Sequence, residues 1–256
     1  MSVRRNHSKR AAGRGRFGAC YYPRVAGQEV GAFLRESPMF ARLPANEVRA
    51  VEAVAREAAY RARGYVFMEG EPALWFCIVK SGRVKILKHS RTGKDVVLEL
   101  LGPGEPFGGV AVIERRTYPA SAQAIEPSVI VKIPQDPLVA LAERYPSIIK
   151  EMALMVGRRL RDAHDSVKSL AVDPVEARLA ATLLRLAREG RKVKQGVELP
   201  FHLTRQSLAD MAGTTVETTI RVVSRWLKER LVEDDGAHFV LRDLEGLKTL
   251  AEGDEA

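Results

Sequence analysis

Cysteine is scarce in this chain of 256 residues, which contains only Cys20 and Cys77. Two thiols are too few for a disulfide framework, a four-thiolate iron–sulfur cluster or a cysteine-rich zinc site. Cys77 lies in the apolar run 75–79, where a free cysteine usually packs as a small hydrophobic side chain. We therefore expect a structural role for Cys77 and no iron–sulfur cluster.

Long apolar runs are also missing. No run approaches the ~20 residues that a bilayer-spanning helix needs, and no apolar segment follows the basic N-terminal residues as a signal peptide requires. Hydrophobic residues make up 46% of the chain and charged residues 29%, as in ordinary globular proteins. We expect a cytoplasmic protein with no membrane partner, and the length favours two domains.

Acidic residues are outnumbered, with 32 Asp and Glu against 41 Lys and Arg, for a net charge of +9. Such an excess favours an anionic partner, although charge alone does not separate nucleic acid from a membrane surface. Many basic residues lie among Ser, Gly and Ala in residues 1–18, which hold too little apolar surface to fold. We predict a flexible basic arm over 1–29, either a solvated tail or a nonspecific DNA-binding arm.

The first half of the chain has the pattern of a β-barrel preceded by helix. Apolar residues recur at helical spacing over 30–62. Short apolar runs, including 107–113, then alternate with Gly- and Pro-containing turns up to residue 134. Evenly spaced short strands are typical of a β-sandwich or barrel and not of a parallel α/β sheet. We predict a sensor barrel over 30–135.

A single long helix is predicted over 136–172. Apolar residues recur every seven positions along it, which indicates a seam with another helix. A helix of this length needs a partner, and we expect a second copy of the chain, the alternative being the chain's own barrel. The predicted dimer interface consists of Ile149, Met152, Val156, Leu160, Ala163 and Val167.

The last domain, predicted over 173–256, contains a helix-turn-helix. Residues 173–176, Asp-Pro-Val-Glu, form a helix start signal in which Asp173 is the predicted N-cap and Pro174 the first helical residue. Residues 203–213 read as a short N-capped helix ended by glycine, and Thr215 caps the next helix. Two short helices joined at a glycine place the second in the DNA major groove. Asp235-Gly236 then predicts a hairpin wing.

One face of the second helix carries the candidate base contacts Glu217, Ile220 and Arg221. Arginine can bond to guanine O6 and N7, and glutamate can accept from cytosine N4, so the two suit one G·C pair. Ile220 can instead pack on a thymine methyl group. The alternative is that Glu217 and Arg221 form only a surface pair. The candidate phosphate contacts are Thr204, Arg205, Gln206, Thr218 and Ser224.

These motifs resemble the CRP/FNR family of bacterial transcription regulators. The most specific similarity is Leu-Thr-Arg-Gln at 203–206 with Glu-Thr-Thr-Ile-Arg at 217–221, and 76–82 and 103–109 also look like family landmarks. The resemblance, over 33–245, implies an α+β fold: an N-terminal double-stranded β-helix (jelly-roll) barrel, a long dimerisation helix and a C-terminal winged helix-turn-helix. It implies a homodimer that is not an enzyme and that binds double-stranded DNA at an inverted repeat of TGA-like half-sites. It also implies that the protein is typically an activator and acts with RNA polymerase. The alternative is a cyclic-nucleotide-responsive regulatory subunit of another protein.

The effector is less clearly indicated. Family members that bind cyclic AMP have Phe-Gly-Glu and an Arg-Ser or Arg-Thr pair in the barrel, where this chain has Gly109 and Tyr118-Pro119. The departures disfavour cyclic AMP, unless a shifted loop brings Arg116 to the phosphate. Haem stays open, although no histidine lies in a recognisable ligand motif, as does control by abundance without an effector. The candidate effector pocket consists of Phe107, Gly108, Gly109, Tyr118 and Ser121.

Overall fold

The computed structural model describes residues 30–252 apart from 90–94, 189 and 237. The predicted basic arm and Cys20 lie outside the described residues. The chain begins with two helices, α1 (Val30–Glu36) and α2 (Ala45–Val54). The helical prediction over 30–62 is wrong at its end, because residues 56–60 form strand β1 (Arg56–Tyr60). In β1, Ala58 and Tyr60 alternate inwards, as a strand with one buried face requires.

The elements after β1 are β2 (Tyr65–Phe67), β3 (Trp75–Ser81), β4 (Val84–His89), β5 (Asp95–Leu101), β6 (Pro106–Phe107), α3 (Gly109–Ile113), β7 (Ser121–Ala124) and β8 (Ser128–Pro134). An α+β fold is confirmed, with a barrel of two four-stranded antiparallel sheets ordered β1-β8-β3-β6 and β2-β7-β4-β5. The run 107–113, read as a strand from the sequence, is mostly α3. The left-handed backbone of Gly108, with φ of 76°, turns the chain from β6 into that helix.

Two helices, α4 (Gln135–Arg144) and α5 (Pro146–Val172), replace the single predicted helix. The break comes at Pro146, because proline lacks the amide N–H that a continuing helix would need. Ile148, Met152 and Met155 of α5 are buried, and Ile148 and Met152 belong to the hydrophobic core of the barrel. Met152 is 5% exposed within its own chain, so its assignment to the dimer interface is wrong.

The C-terminal domain is a winged helix. Its elements are α6 (Val175–Ala187), β9 (Arg191–Lys192), β10 (Val197–Glu198), α7 (Arg205–Ala212), α8 (Val216–Lys228), β11 (Val232–Asp234), β12 (Phe239–Leu241) and α9 (Leu244–Glu252). The small sheet has the strand order β11-β12-β10-β9. Pro174, not Asp173, is the N-cap of α6. Across the described ranges, no helix is both long and apolar enough to cross a membrane.

Candidate DNA-binding face and effector site

The helix-turn-helix is held by caps at both helix starts and by a glycine between them. Thr204 Oγ1 accepts a hydrogen bond from Ser207 N at 3.0 Å, and Thr215 Oγ1 accepts one from Thr218 N at 3.2 Å. Gly213 ends α7 with φ of 61°, and a Cβ there would lie 2.5 Å from Leu170 Cδ2. The left-handed conformation favours glycine, so the turn between α7 and α8 is set locally.

The two sides of α8 have opposite character. Thr219, Val222, Val223 and Trp226 are buried against the domain core. Glu217, Arg221 and Ser224 are exposed on the other side, together with Ile220, whose exposed fraction is 48%. The structure thus brings all three candidate base contacts onto one solvent-facing surface, hereafter the recognition face.

The candidate phosphate contacts lie in different surroundings. Thr204, Gln206 and Ser224 are exposed, and Thr218 is half-buried beside its cap. Arg205 differs, because its guanidinium donates to Asp234 Oδ2 at 2.7 Å and lies 5.4 Å from the centroid of the Phe239 ring. Arg205 is thus turned towards the wing and joins α7 to it, and its role as a phosphate contact stays a prediction.

Sequence reasoning missed a polar network that joins α6 to α8. Glu176 accepts a hydrogen bond from Trp226 Nε1 at 2.9 Å and pairs with Arg225. Burial alone would raise the pKa of Glu176, but the hydrogen bonds from Arg225 and Trp226 and the Arg225 charge together lower it. The available signal was the tryptophan, since a buried indole N–H needs an acceptor.

A second missed residue, Arg178 on α6, secures the turn of the helix-turn-helix. Its Nε donates to the Ala212 carbonyl at 2.9 Å, and its Nη2 donates to the Gly213 carbonyl at 3.2 Å. These carbonyls end α7 and have no partner within the helix. Arg178 therefore supports the recognition face from behind.

In the barrel, the aromatic members of the candidate effector pocket are packed against each other. Tyr118 stacks on Phe67 with ring centroids 3.6 Å apart and an interplanar angle of 7°, and Phe67 lies 5.7 Å from Phe107. Tyr118 Oη donates to the Trp75 carbonyl at 2.6 Å and accepts from Trp75 N at 3.2 Å. Burial raises the pKa of Tyr118, so the phenol stays neutral. Phe67, Phe107 and Tyr118 thus form an aromatic cluster within the hydrophobic core of the barrel.

The remaining pocket candidates also have close neighbours in the barrel. A Cβ on Gly109 would lie 2.5 Å from Met152 Cε, and Ser121 Oγ accepts a hydrogen bond from Glu69 N at 2.9 Å. The candidates thus lie in or beside the barrel core, and their role as an effector site stays a prediction. Arg116 is exposed and lies 3.9 Å from Glu114. Since none of the five candidates carries a charge, these residues do not fit a cyclic phosphate.

The potential metal ligands are dispersed. No three His, Cys, Asp or Glu side chains converge as a metal site within the part of the chain that the structure describes. Cys77 is buried, and burial raises the pKa of its thiol to about 12, so the thiol is neutral and unreactive. His89 lies near Tyr65 on the barrel, and His238 contacts Asp235 in the wing.

The chain combines a jelly-roll barrel, a long helix and a winged helix-turn-helix with an exposed recognition face. This combination defines a two-domain transcription regulator. Comparison with known families agrees with this assignment. Residues 57–145 match the cyclic nucleotide-binding domain, and residues 177–250 match the Crp-like helix-turn-helix domain. The chain belongs to the CRP/FNR family of transcription regulators.

Individual relatives cover most of the chain. The cyclic AMP receptor protein of Thermus thermophilus is 29% identical over 220 residues, which cover 86% of this chain and 99% of the relative. FixK2 from Bradyrhizobium japonicum superposes with a TM-score of 0.70 at 25% identity, covering 77% of this chain and 97% of FixK2. The c-di-GMP responsive regulator CLP of Xanthomonas campestris gives a TM-score of 0.66 at 26% identity, covering 77% and 99%.

Proposed function

We propose that the protein is a homodimeric regulator that binds an inverted DNA repeat with TGA-like half-sites. The observation that carries this proposal is the recognition face. Arg221 supplies the fork that fits guanine O6 and N7, and Glu217 one turn earlier supplies an acceptor for cytosine N4. The buried side of α8 is fixed by packing on Trp226 and its neighbours, so the recognition face is presented in a defined orientation.

The exposed surface of α5 supports the dimer. Between residues 160 and 172 the helix is exposed almost all round, yet it carries Leu160, Val167 and Leu170. With Ile149 and Val156, these side chains recur at separations of three, four or seven residues, as in a coiled-coil seam. Exposed apolar surface in such a strip is covered most simply by the same strip of a second copy. We propose a parallel α5 pair that includes Ala163 and excludes Met152.

The aromatic cluster is relevant to whether a small effector controls DNA binding. Relatives with this architecture are named for responses to cyclic AMP in Thermus and to c-di-GMP in Xanthomonas. Here Tyr118 occupies the barrel interior, and Gly109 offers no carboxylate to a ribose hydroxyl. We propose that the protein binds its DNA without cyclic AMP, and that its abundance sets promoter occupancy.

The experiment that tests this function is selection of bound sequences from a random double-stranded DNA pool, at a stated salt concentration, with and without cyclic AMP. The expected result is one inverted repeat with TGA-like half-sites, recovered equally in both arms. Enrichment only with cyclic AMP would restore that ligand as the effector. Failure to enrich any repeat in either arm would contradict the DNA-binding proposal.

A matched pair of variants then assigns the contact. Arg221→Ala should weaken binding by about 1–3 kcal/mol per half-site and relax selection at one base pair. Arg116→Ala removes the same charge from the exposed barrel surface and should leave the selected sequence unchanged. Transcription with purified RNA polymerase on a promoter that contains the selected repeat tests the polymerase as partner and gives the sign of regulation.

A further inference from the structure

One end of the barrel packs against the core of the winged helix. Leu100 of β5 and Ile125, which follows β7, pack against the winged-helix core, and α7 lies beside β5. Beside Ile125, the guanidinium carbon of Arg83 lies 4.7 Å from the centroid of the Phe201 ring. Phe201 belongs to the winged-helix core and is followed directly by the helix-turn-helix. The Arg83 side chain of the barrel thus contacts the winged helix just before the helix-turn-helix.

The backbone around Arg83 is fixed to the barrel. Arg83 N donates to Ser128 Oγ at 3.0 Å, and Ile125 N donates to the Arg83 carbonyl at 3.0 Å. Gly82 has φ of 76°, and a Cβ there would collide with Ser128. The turn between β3 and β4 is therefore held tightly against the turn between β7 and β8. Arg83 is presented from a rigid part of the barrel.

The contact buries a positive charge between the two domains. Arg83 and Phe201 are each 6% exposed. A guanidinium taken out of water needs a compensating partner, and the face of an aromatic ring attracts it more strongly when both are desolvated. The Glu126 carboxyl adds to this, since burial raises its pKa while the nearby Arg83 charge opposes the rise. Separation of the domains would expose the ring and remove this pairing.

The docked arrangement leaves the recognition face free. Glu217, Ile220 and Arg221 are exposed while α7 lies beside β5. In a dimer, two such faces must meet half-sites about one helical turn apart. Winged helices that moved freely would satisfy this spacing only part of the time, and the apparent affinity would fall by that fraction.

We infer that Arg83 is a positioning residue, which holds the winged helix against the barrel in the DNA-competent orientation without a bound effector. The inference rests on the proposed function and goes beyond it by naming the contact that sets the distance between the two winged helices of the dimer. In this protein an intramolecular contact takes the place of ligand-driven repositioning.

The test measures binding to the selected repeat and to the same repeat with two base pairs inserted between its half-sites. Arg83→Met keeps the apolar stem but removes the charge, and it should bind the selected repeat on the order of tenfold more weakly. It should also lose most of the wild-type preference for the correct spacing. Arg83→Lys retains a cation over the ring and should recover both the affinity and the spacing preference. Arg116→Ala is the matched control on the exposed barrel surface.

Phe201→Leu tests the same contact from the other domain, because it removes the ring but keeps an apolar core side chain. It should reproduce the loss of spacing preference, and it decides the question if Arg83→Met does not fold. The inference is overturned if both folded variants keep the wild-type affinity and spacing preference, or if either binds more tightly. Wild-type protein that binds no repeat would instead contradict the proposed function.

Discussion

Ile220 offers the sharpest test of how the recognition face reads DNA. Its side chain is 48% exposed beside Arg221 and has no hydrogen-bonding group. The thymine C5 methyl is the apolar feature that a base pair displays in the major groove. Replacing one thymine of a half-site by deoxyuracil removes that methyl and leaves every donor and acceptor of the base pair in place. The perturbation therefore isolates an apolar contact.

The expected magnitude follows from the area that one methyl group covers. Burial of a methylene-sized group is worth about 0.8 kcal/mol, which is roughly a fourfold change in affinity. The proposed dimer would contact two half-sites far enough apart for their contributions to add. Uracil in both half-sites should therefore weaken binding about 15-fold, or about 1.6 kcal/mol.

The assay is fluorescence anisotropy with thymine and uracil versions of the selected repeat, with each thymine replaced in turn. Wild-type protein should show the loss at one thymine position in each half-site. Ile220→Ser cannot make the apolar contact, so it should bind both versions of that position equally. An unaffected wild type, or an equal loss in the Ile220→Ser variant, would refute the assignment of Ile220 to thymine.

Three further predictions concern assembly and stability. Val156→Asp places a charge in the proposed α5 seam and should give monomers in sedimentation, so persistent dimers would place the interface elsewhere. Glu176→Gln should destabilise the protein in denaturant titrations at neutral pH. Because the folded-state pKa of Glu176 is lowered, its contribution is complete above the ordinary glutamate pKa of about 4.3 and disappears as the pH falls through the folded value. A loss of stability in the Glu176→Gln variant that persisted unchanged in acid would exclude the charged network with Trp226. Tyr118→Phe removes both hydrogen bonds to Trp75 and should cost about 1–3 kcal/mol of unfolding free energy, measured in the same titrations.

The helix-turn-helix could be predicted from sequence because its geometry is encoded within a few residues. Thr204 and Thr215 cap their helices through their own side chains, and Gly213 ends α7 in a conformation that favours glycine. Each feature leaves a residue type at a fixed position in the chain. The wing signal at Asp235-Gly236 is of the same local kind, with Gly236 at φ of 86°.

The barrel interior could not be predicted in the same way. Whether Tyr118 lines a cavity or fills it depends on Phe67, which is distant in sequence and becomes a stacking partner only in the folded sheets. Met152 illustrates the same limit on α5. It lies beside the exposed strip in the helical repeat, but only the fold shows that the barrel at Gly109 already covers it. Pairing across the chain decides burial there, and the local pattern does not record it.

In the proposed dimer, the exposed second half of α5 makes DNA binding depend on the concentration of the protein. Apolar side chains such as Leu160 and Val167 stay in contact with water until two chains meet, so the folded dimer gains stability as concentration rises. Below the dimer dissociation constant, the concentration of dimers grows with the square of the concentration of chains. Occupancy of an inverted repeat would then rise more steeply than synthesis of the protein. A change in expression would then produce a proportionally larger change in promoter occupancy.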